Sequence, residues 1–120
     1  MTLKLFDSER KVLDVLWRMG DLSAKSIADI LGEEIGWNKN TTYTVIKKCI
    51  EKGAVERQEP GFICHPLITK EAVQSQEIDE LVDKVFDGSP DHLFAALLDK
   101  KKLPNDVVQR LTQMIQDAEG

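Results

Sequence analysis

Residues 38–53, NKNTTYTVIKKCIEKG, carry two patterns at once. Thr42, Val45, Ile46, Cys49 and Ile50 recur at i, i+3, i+4, i+7 and i+8, the spacing of an amphipathic helix whose apolar stripe faces a core. Asn38 or Asn40 supplies an N-cap, and Gly53 marks the end. A helix advances about 100° per residue, so the remaining positions are assigned as soon as the stripe is. Asn40, Thr44 and Lys47 project away from the core, flanked by Thr41, Tyr43 and Lys48. These are short hydrogen-bonding groups and cations, together with one aromatic whose ring can pack on the core while its hydroxyl stays exposed.

C-terminal to this helix, residues 54–58 and 62–65 read as short extended runs separated by Glu59-Pro60-Gly61, where Pro-Gly signals a turn. The pair forms a hairpin. On the N-terminal side, residues 8–19 read as a helix with Asp7 or Ser8 as N-cap and Gly20 just past its end. Its apolar face comprises Val12, Leu13, Val15, Leu16 and Met19. Ser23 can cap a second helix bearing Ile27, Ala28, Ile30 and Leu31, with Gly32 as its stop. Trp17 and Trp37 read as packing residues. Three helices and a hairpin, with the third helix presenting a polar and basic face, make a winged helix-turn-helix. Residues 1–68 are its expected extent.

Beyond Pro66 the character changes. Thr69 can cap a long helix reaching about Phe86, with Ile78, Leu81, Val82 and Val85 apolar. Ser89-Pro90 is an N-cap followed by proline at the first helical position. It opens a helix with Leu93, Phe94, Leu97 and Leu98, whose C-terminal dipole Lys100, Lys101 and Lys102 suit. A last helix starts near Pro104 and carries Val107, Val108, Leu111, Met114 and Ile115. Residues 69–120 hold much apolar surface in a segment too short to bury it alone, so a second copy of the chain is the simplest cover. Leu81, Val85, Leu93, Phe94, Leu97, Val108, Leu111, Met114 and Ile115 are the expected dimer contacts. The fold class is mainly α with a small β-hairpin: a winged helix-turn-helix domain, then a helical dimerisation domain.

The chain's 120 residues are 42% hydrophobic and 31% charged, which suits a folded domain rather than a disordered one. The net charge of −5 argues at first against a polyanionic partner, but its distribution does not. Residues 1–68 hold ten basic and ten acidic side chains, whereas residues 69–120 hold six and eleven. Within residues 37–57, Lys39, Lys47, Lys48, Lys52 and Arg57 face only Glu51 and Glu56. No apolar run approaches the roughly 18 residues of a membrane span, and the N-terminus turns charged too early for a signal peptide, so a cytoplasmic protein with no membrane partner is expected. Cys49 and Cys64 suggest free thiols in a reducing compartment. Cys64-His65 invites a metal reading, but adjacent ligands without further spaced partners give no tetrahedral site. With no Gly-rich phosphate loop, nucleophile elbow or His-rich helix, neither an enzyme nor a cofactor is expected.

Four features together resemble the BlaI/MecI/CopY family of penicillinase repressors. They are ERKVLDVLW (residues 9–17), GWNKNTTYTVIKKCIEKGAV (residues 36–55), the His65-Pro66 ending of the wing and the FDGS turn (residues 86–89). The resemblance covers nearly the whole chain. It implies a winged-helix N-terminal domain, a helical domain that interlocks with its twin, and repression through inverted-repeat operators. The family's DNA-contacting helix corresponds to residues 40–52 here. Three departures stand out. Ala95-Ala96-Leu97-Leu98 occupies the place of the Asn-Phe bond at which proteolysed members are cut, and the cysteine-rich tail of the copper-responsive branch has no counterpart in DVVQRLTQMIQDAEG. The wing also lacks a basic tip and has Cys64 where relatives tend to have an aromatic, which leaves Arg57 as its candidate contact.

The expectation is therefore a repressor binding double-stranded operator DNA as a homodimer, released by an effector or sensor protein of unidentified chemistry. Asn40, Thr41, Tyr43 and Thr44 would read bases, with Lys47, Lys48 and Lys52 on phosphates and Arg57 on the wing. A winged-helix protein-protein adaptor and a metal- or ligand-sensing regulator of the same fold are the alternatives.

Overall fold

The structure, a computed structural model, describes residues 3–99 and 102–119. Helix α1 (Asp7–Met19) is followed by a short strand β1 (Leu22–Ser23), then α2 (Ala24–Ile35) and α3 (Lys39–Glu51). Strands β2 (Val55–Gln58) and β3 (Ile63–Pro66) form the wing. Three helices follow: α4 (Lys70–Val85), α5 (Pro90–Asp99) and α6 (Asn105–Glu119). The chain divides into two compact units, residues 1–76 and 77–120, a division that falls inside α4.

The first unit is a winged helix. Its core combines Val12, Leu13, Val15 and Leu16 of α1, Ala24, Ile27 and Leu31 of α2, and Val45, Ile46 and Cys49 of α3, closed by Ala54, Val55 and Cys64 from the wing. Leu13, Leu16, Ile27 and Ile46 are completely enclosed, and each contributes about 1.5–3 kcal/mol through removal from water. Trp17 and Trp37 pack on this core, and the Trp17 indole Nε1–H donates to the Ile68 carbonyl at 3.0 Å.

The helix boundaries depart from expectation in two places. Helix α1 begins one residue early, with Phe6 at the N-cap position. In place of the expected Asp7 or Ser8 cap, the Glu9 carboxylate reaches back to accept the Phe6 N–H at 2.7 Å. Helix α2 runs through Gly32 to Ile35 and stops at Gly36, which lies in the left-handed region at φ 74, ψ 18 and donates its N–H to the Gly32 carbonyl at 3.1 Å. Ser23 caps α2 by accepting from the Ser26 N–H, and Asn38 caps α3 by accepting from the Thr41 N–H at 2.8 Å.

The sheet has three antiparallel strands in the order β1-β3-β2, one more than the expected hairpin. Leu22 pairs with Cys64 and Ser23 with Ile63, while Arg57 pairs with Cys64 across the wing. Cys64 is buried in the core, whereas Arg57 is exposed. The wing turns at Gly61, at φ 95.

In the second unit and the helix that leads into it, Thr69 and Ser89 cap α4 and α5 by accepting from the Ala72 and His92 N–H groups. Neither α5 nor α6 has a buried residue among the described ones. Lys100 and Lys101, expected at the end of α5, lie outside the described residues.

Candidate nucleic-acid interface

Helix α3 is anchored through its inward face, where Thr42, Val45, Ile46 and Cys49 are buried and Ile50 is half-buried. With that stripe enclosed, Lys39, Asn40, Thr41, Thr44, Lys47 and Lys48 are all exposed. Lys39, Lys47 and Lys48 form no ion pair among the described residues, so their charges face solvent. The Thr44 hydroxyl donates to the Asn40 carbonyl at 2.8 Å, which satisfies its proton and leaves its oxygen able to accept. Tyr43 is half-buried. Its ring packs on the core and lies 6.4 Å, tilted by 45°, from Phe62 at the base of the wing turn.

Lys52 departs from its expected place among the phosphate contacts. It follows the last turn of α3, and its ammonium points inward at 2.6 Å from Glu9 Oε1, donating also to the Lys4 carbonyl at 2.9 Å. The ammonium sits 4.0 Å above the Phe6 ring, in cation–π range. Glu9 is wholly enclosed, with Oε1 shared between Lys52 and the Phe6 N–H and with Oε2 unpartnered among the described residues. The segment entering α1 thus grips the C-terminal end of α3. Glu9 is thus the counter-ion of a residue 43 positions later.

Arg57 is exposed on β2, but its guanidinium is engaged. Nε lies 2.5 Å from Glu59 Oε1, and the group stacks 3.7 Å over the Phe62 ring. The Arg57 hydrogen bond, followed by the Phe62 N–H, holds the Glu59 carboxyl below the usual range. On the central strand β3, His65 Nδ1 lies 2.9 Å from Oδ1 of Asp21, the residue before β1.

The two thiols are sealed in the core. Burial pushes Cys49 up to about 12 and Cys64 up to about 11, values at which neither supplies a thiolate ligand near neutrality. No cluster of His, Cys, Asp and Glu suited to a metal occurs among the described residues, and none of their helices is long and apolar enough to cross a membrane.

A three-helix core, a three-stranded wing and an outward basic helix define the class: a winged-helix protein of the kind that binds DNA. Solved structures share the fold. The DNA-binding domain of the repressor BlaI superposes with a TM-score of 0.55 at 23% identity, covering 60% of this chain and 90% of that one. The monomeric BlaI of Bacillus licheniformis, in complex with the blaP half-operator, gives 0.52 at 24% identity, with 57% and 87% covered. In sequence, the chain matches the penicillinase repressor family over residues 5–117 and belongs to it. It is 19% identical over 116 residues to the penicillinase repressor of Bacillus licheniformis, covering 95% of this chain and 91% of that protein. It is 22% identical, again over 116 residues, to an uncharacterised 16.5 kDa protein of Latilactobacillus sakei, covering 95% and 80%.

Proposed function

We propose that this member of the penicillinase repressor family represses transcription by binding inverted-repeat operator DNA as a homodimer, with one α3 in a major groove of each half-site. The observation that carries the reading is the outward face of α3, where three exposed lysines, without ion-pair partners among the described residues, flank Asn40, Thr41 and Thr44. Lysines at this spacing neutralise phosphates and set register, whereas Asn and Thr are short enough to reach base edges. Tyr43 contributes its hydroxyl from a ring held against the core and Phe62. Lys39, at the first position of α3, joins Lys47 and Lys48 as a phosphate contact, and Arg57 approaches the backbone from the wing. That the similar BlaI of Bacillus licheniformis is solved with a half-operator supports duplex DNA as the partner.

Dimerisation rests on the second unit. Leu81, Val85, Phe94, Met114 and Ile115 are exposed, and Leu93, Leu97, Val108 and Leu111 are only half-buried. A second copy covering these faces would build the core that one copy lacks, and its two-fold axis matches the symmetry of an inverted repeat.

A gel shift on fragments from upstream of the protein's own gene tests the reading. Specific retention of one fragment is expected. Lys47→Ala should weaken retention and lower the slope of log K against log salt by about 0.9 for each phosphate no longer neutralised. Absence of retention at low salt, or a slope indifferent to Lys47, would refute it.

A further inference from the structure

The cation of the wing is Arg57, and the chain supplies that cation with its own anion. Arg57 lies exposed on β2, stacked 3.7 Å over Phe62, and the Phe62 ring in turn lies 6.4 Å, centroid to centroid, from that of Tyr43 on α3. Glu59 occupies the guanidinium's Nε edge at 2.5 Å, and its second oxygen accepts the Phe62 N–H at 3.3 Å, which fixes the carboxylate across the turn. A carboxylate held against an arginine edge has the geometry and charge of a backbone phosphate oxygen in the same position. Both side chains keep half of their surface exposed, so a phosphate can reach the pair and exchange with the carboxylate.

We propose that Glu59 acts as an intramolecular stand-in for a DNA phosphate, holding Arg57 in the wing and setting the affinity and salt sensitivity of binding by competing with the duplex for that guanidinium. The proposal rests on the DNA-binding reading of α3 and adds a determinant outside that helix. When the wing meets a duplex, a phosphate can take the Nε edge of Arg57 only by displacing Glu59. The carboxylate then stands unpaired beside a polyanion and retains a counter-ion. Arg57 therefore contributes less to binding than an unpaired arginine at the same place, and the wing as a whole, with Glu56 and Glu59 against one arginine, is a weak clamp.

Glu59→Gln isolates the effect, because the amide oxygen can still accept the Phe62 N–H and the position is exposed enough for the fold to tolerate it. Binding of a mixed-sequence 30-base-pair duplex is measured by fluorescence anisotropy from low to moderate salt for the wild type, E59Q and R57Q/E59Q. E59Q is expected to bind about two- to five-fold tighter, the range an exposed ion pair spans as an equilibrium constant. Its salt slope should steepen by up to about 0.9 per protomer as Arg57 takes up a phosphate in full. In R57Q/E59Q both gains should vanish. If E59Q and the wild type bind alike, if E59Q binds more weakly, or if the gain survives without Arg57, the competition is refuted while the DNA reading stands. If none of the three binds the duplex at low salt, both fall together.

Discussion

Removing Lys52 should destabilise the first unit well beyond what a lysine at a helix end ordinarily costs. Glu9 is wholly enclosed, and its carboxylate is held by the Phe6 N–H and the Lys52 ammonium. Lys52→Ala leaves the carboxylate in place with a single hydrogen bond. Stranding a buried charge costs about 3–5 kcal/mol when water cannot follow. Lys52 is itself 28% exposed, so water would enter the space vacated by the side chain, and we expect a destabilisation of about 2–3 kcal/mol. The stacking over Phe6 and the bond to the Lys4 carbonyl, both removed with the side chain, are included in that figure. Glu9→Gln should cost less, about 1 kcal/mol, because the amide oxygen can still accept the Phe6 N–H and the released ammonium can turn to solvent. The double variant should then be more stable than the sum of the single changes implies. Urea unfolding at one fixed protomer concentration reads all three, with a shift in midpoint at constant m. Two results would refute the reasoning: Lys52→Ala within about 0.5 kcal/mol of the wild type, the range of ordinary surface substitutions, or strict additivity. DNA binding supplies a contrast, since Lys52→Ala in its folded form should leave the salt slope untouched.

Further outcomes follow from other parts of the molecule. The folded state keeps the Cys49 and Cys64 protons to about 12 and about 11, while an unfolded thiol loses its proton near 9. The stability these groups contribute is therefore intact below pH 9 and is lost progressively as the pH rises from 9 to the folded values of about 11 and about 12. Urea midpoints should fall over that window and fall less steeply in C49A/C64A; parallel profiles would contradict the assignment. Gly36→Ala places a Cβ in open space at φ 74, so its cost is backbone strain alone, about 1–2 kcal/mol in the unfolding free energy; a neutral result would argue against the left-handed cap. Ile115 is 52% exposed in one chain, so Ile115→Asp should spare the fold of the protomer yet shift sedimentation toward monomer, and an unchanged dimer would take α6 out of the interface.

The sequence discloses the winged helix because its periodic segments are long and their caps are side-chain chemistry. The α3 stripe, the Asn38 and Ser23 caps and the Pro-Gly turn each follow from residues a few positions apart. What it conceals is non-local. Strand β1 has only two residues, with no alternation to detect, and exists because Leu22 meets Cys64 across the sheet. Gly32 reads as a stop, but at that point the next turn of helix can still form, and the left-handed cap falls to Gly36. On the candidate interface, periodicity places Asn40, Thr41, Thr44, Lys47 and Lys48 outward without ambiguity. It cannot show that Lys52, one turn beyond Lys48, has a buried counter-ion in α1, nor that Arg57 already holds a carboxylate.

The same pairing explains how an acidic chain can present a basic face. In the first unit, Arg10 is bound to Asp7, Arg18 to Asp14 and Glu34, Lys52 to Glu9 and Arg57 to Glu59. The Glu34 hydrogen bond raises Arg18 above the ordinary guanidinium value. Each of these pairs cancels a charge within a few ångströms and contributes little field beyond about 10 Å in physiological salt. Among the described residues, Lys39, Lys47 and Lys48 take no part in such pairs, and all three lie exposed on one helix. The surplus acidic residues lie in residues 69–120, outside the wing and α3. A polyanion in contact with the outward face of α3 would meet Lys39, Lys47 and Lys48 uncancelled. The net charge of −5 then weakens association at long range, where salt screens it, and leaves the local contact favourable.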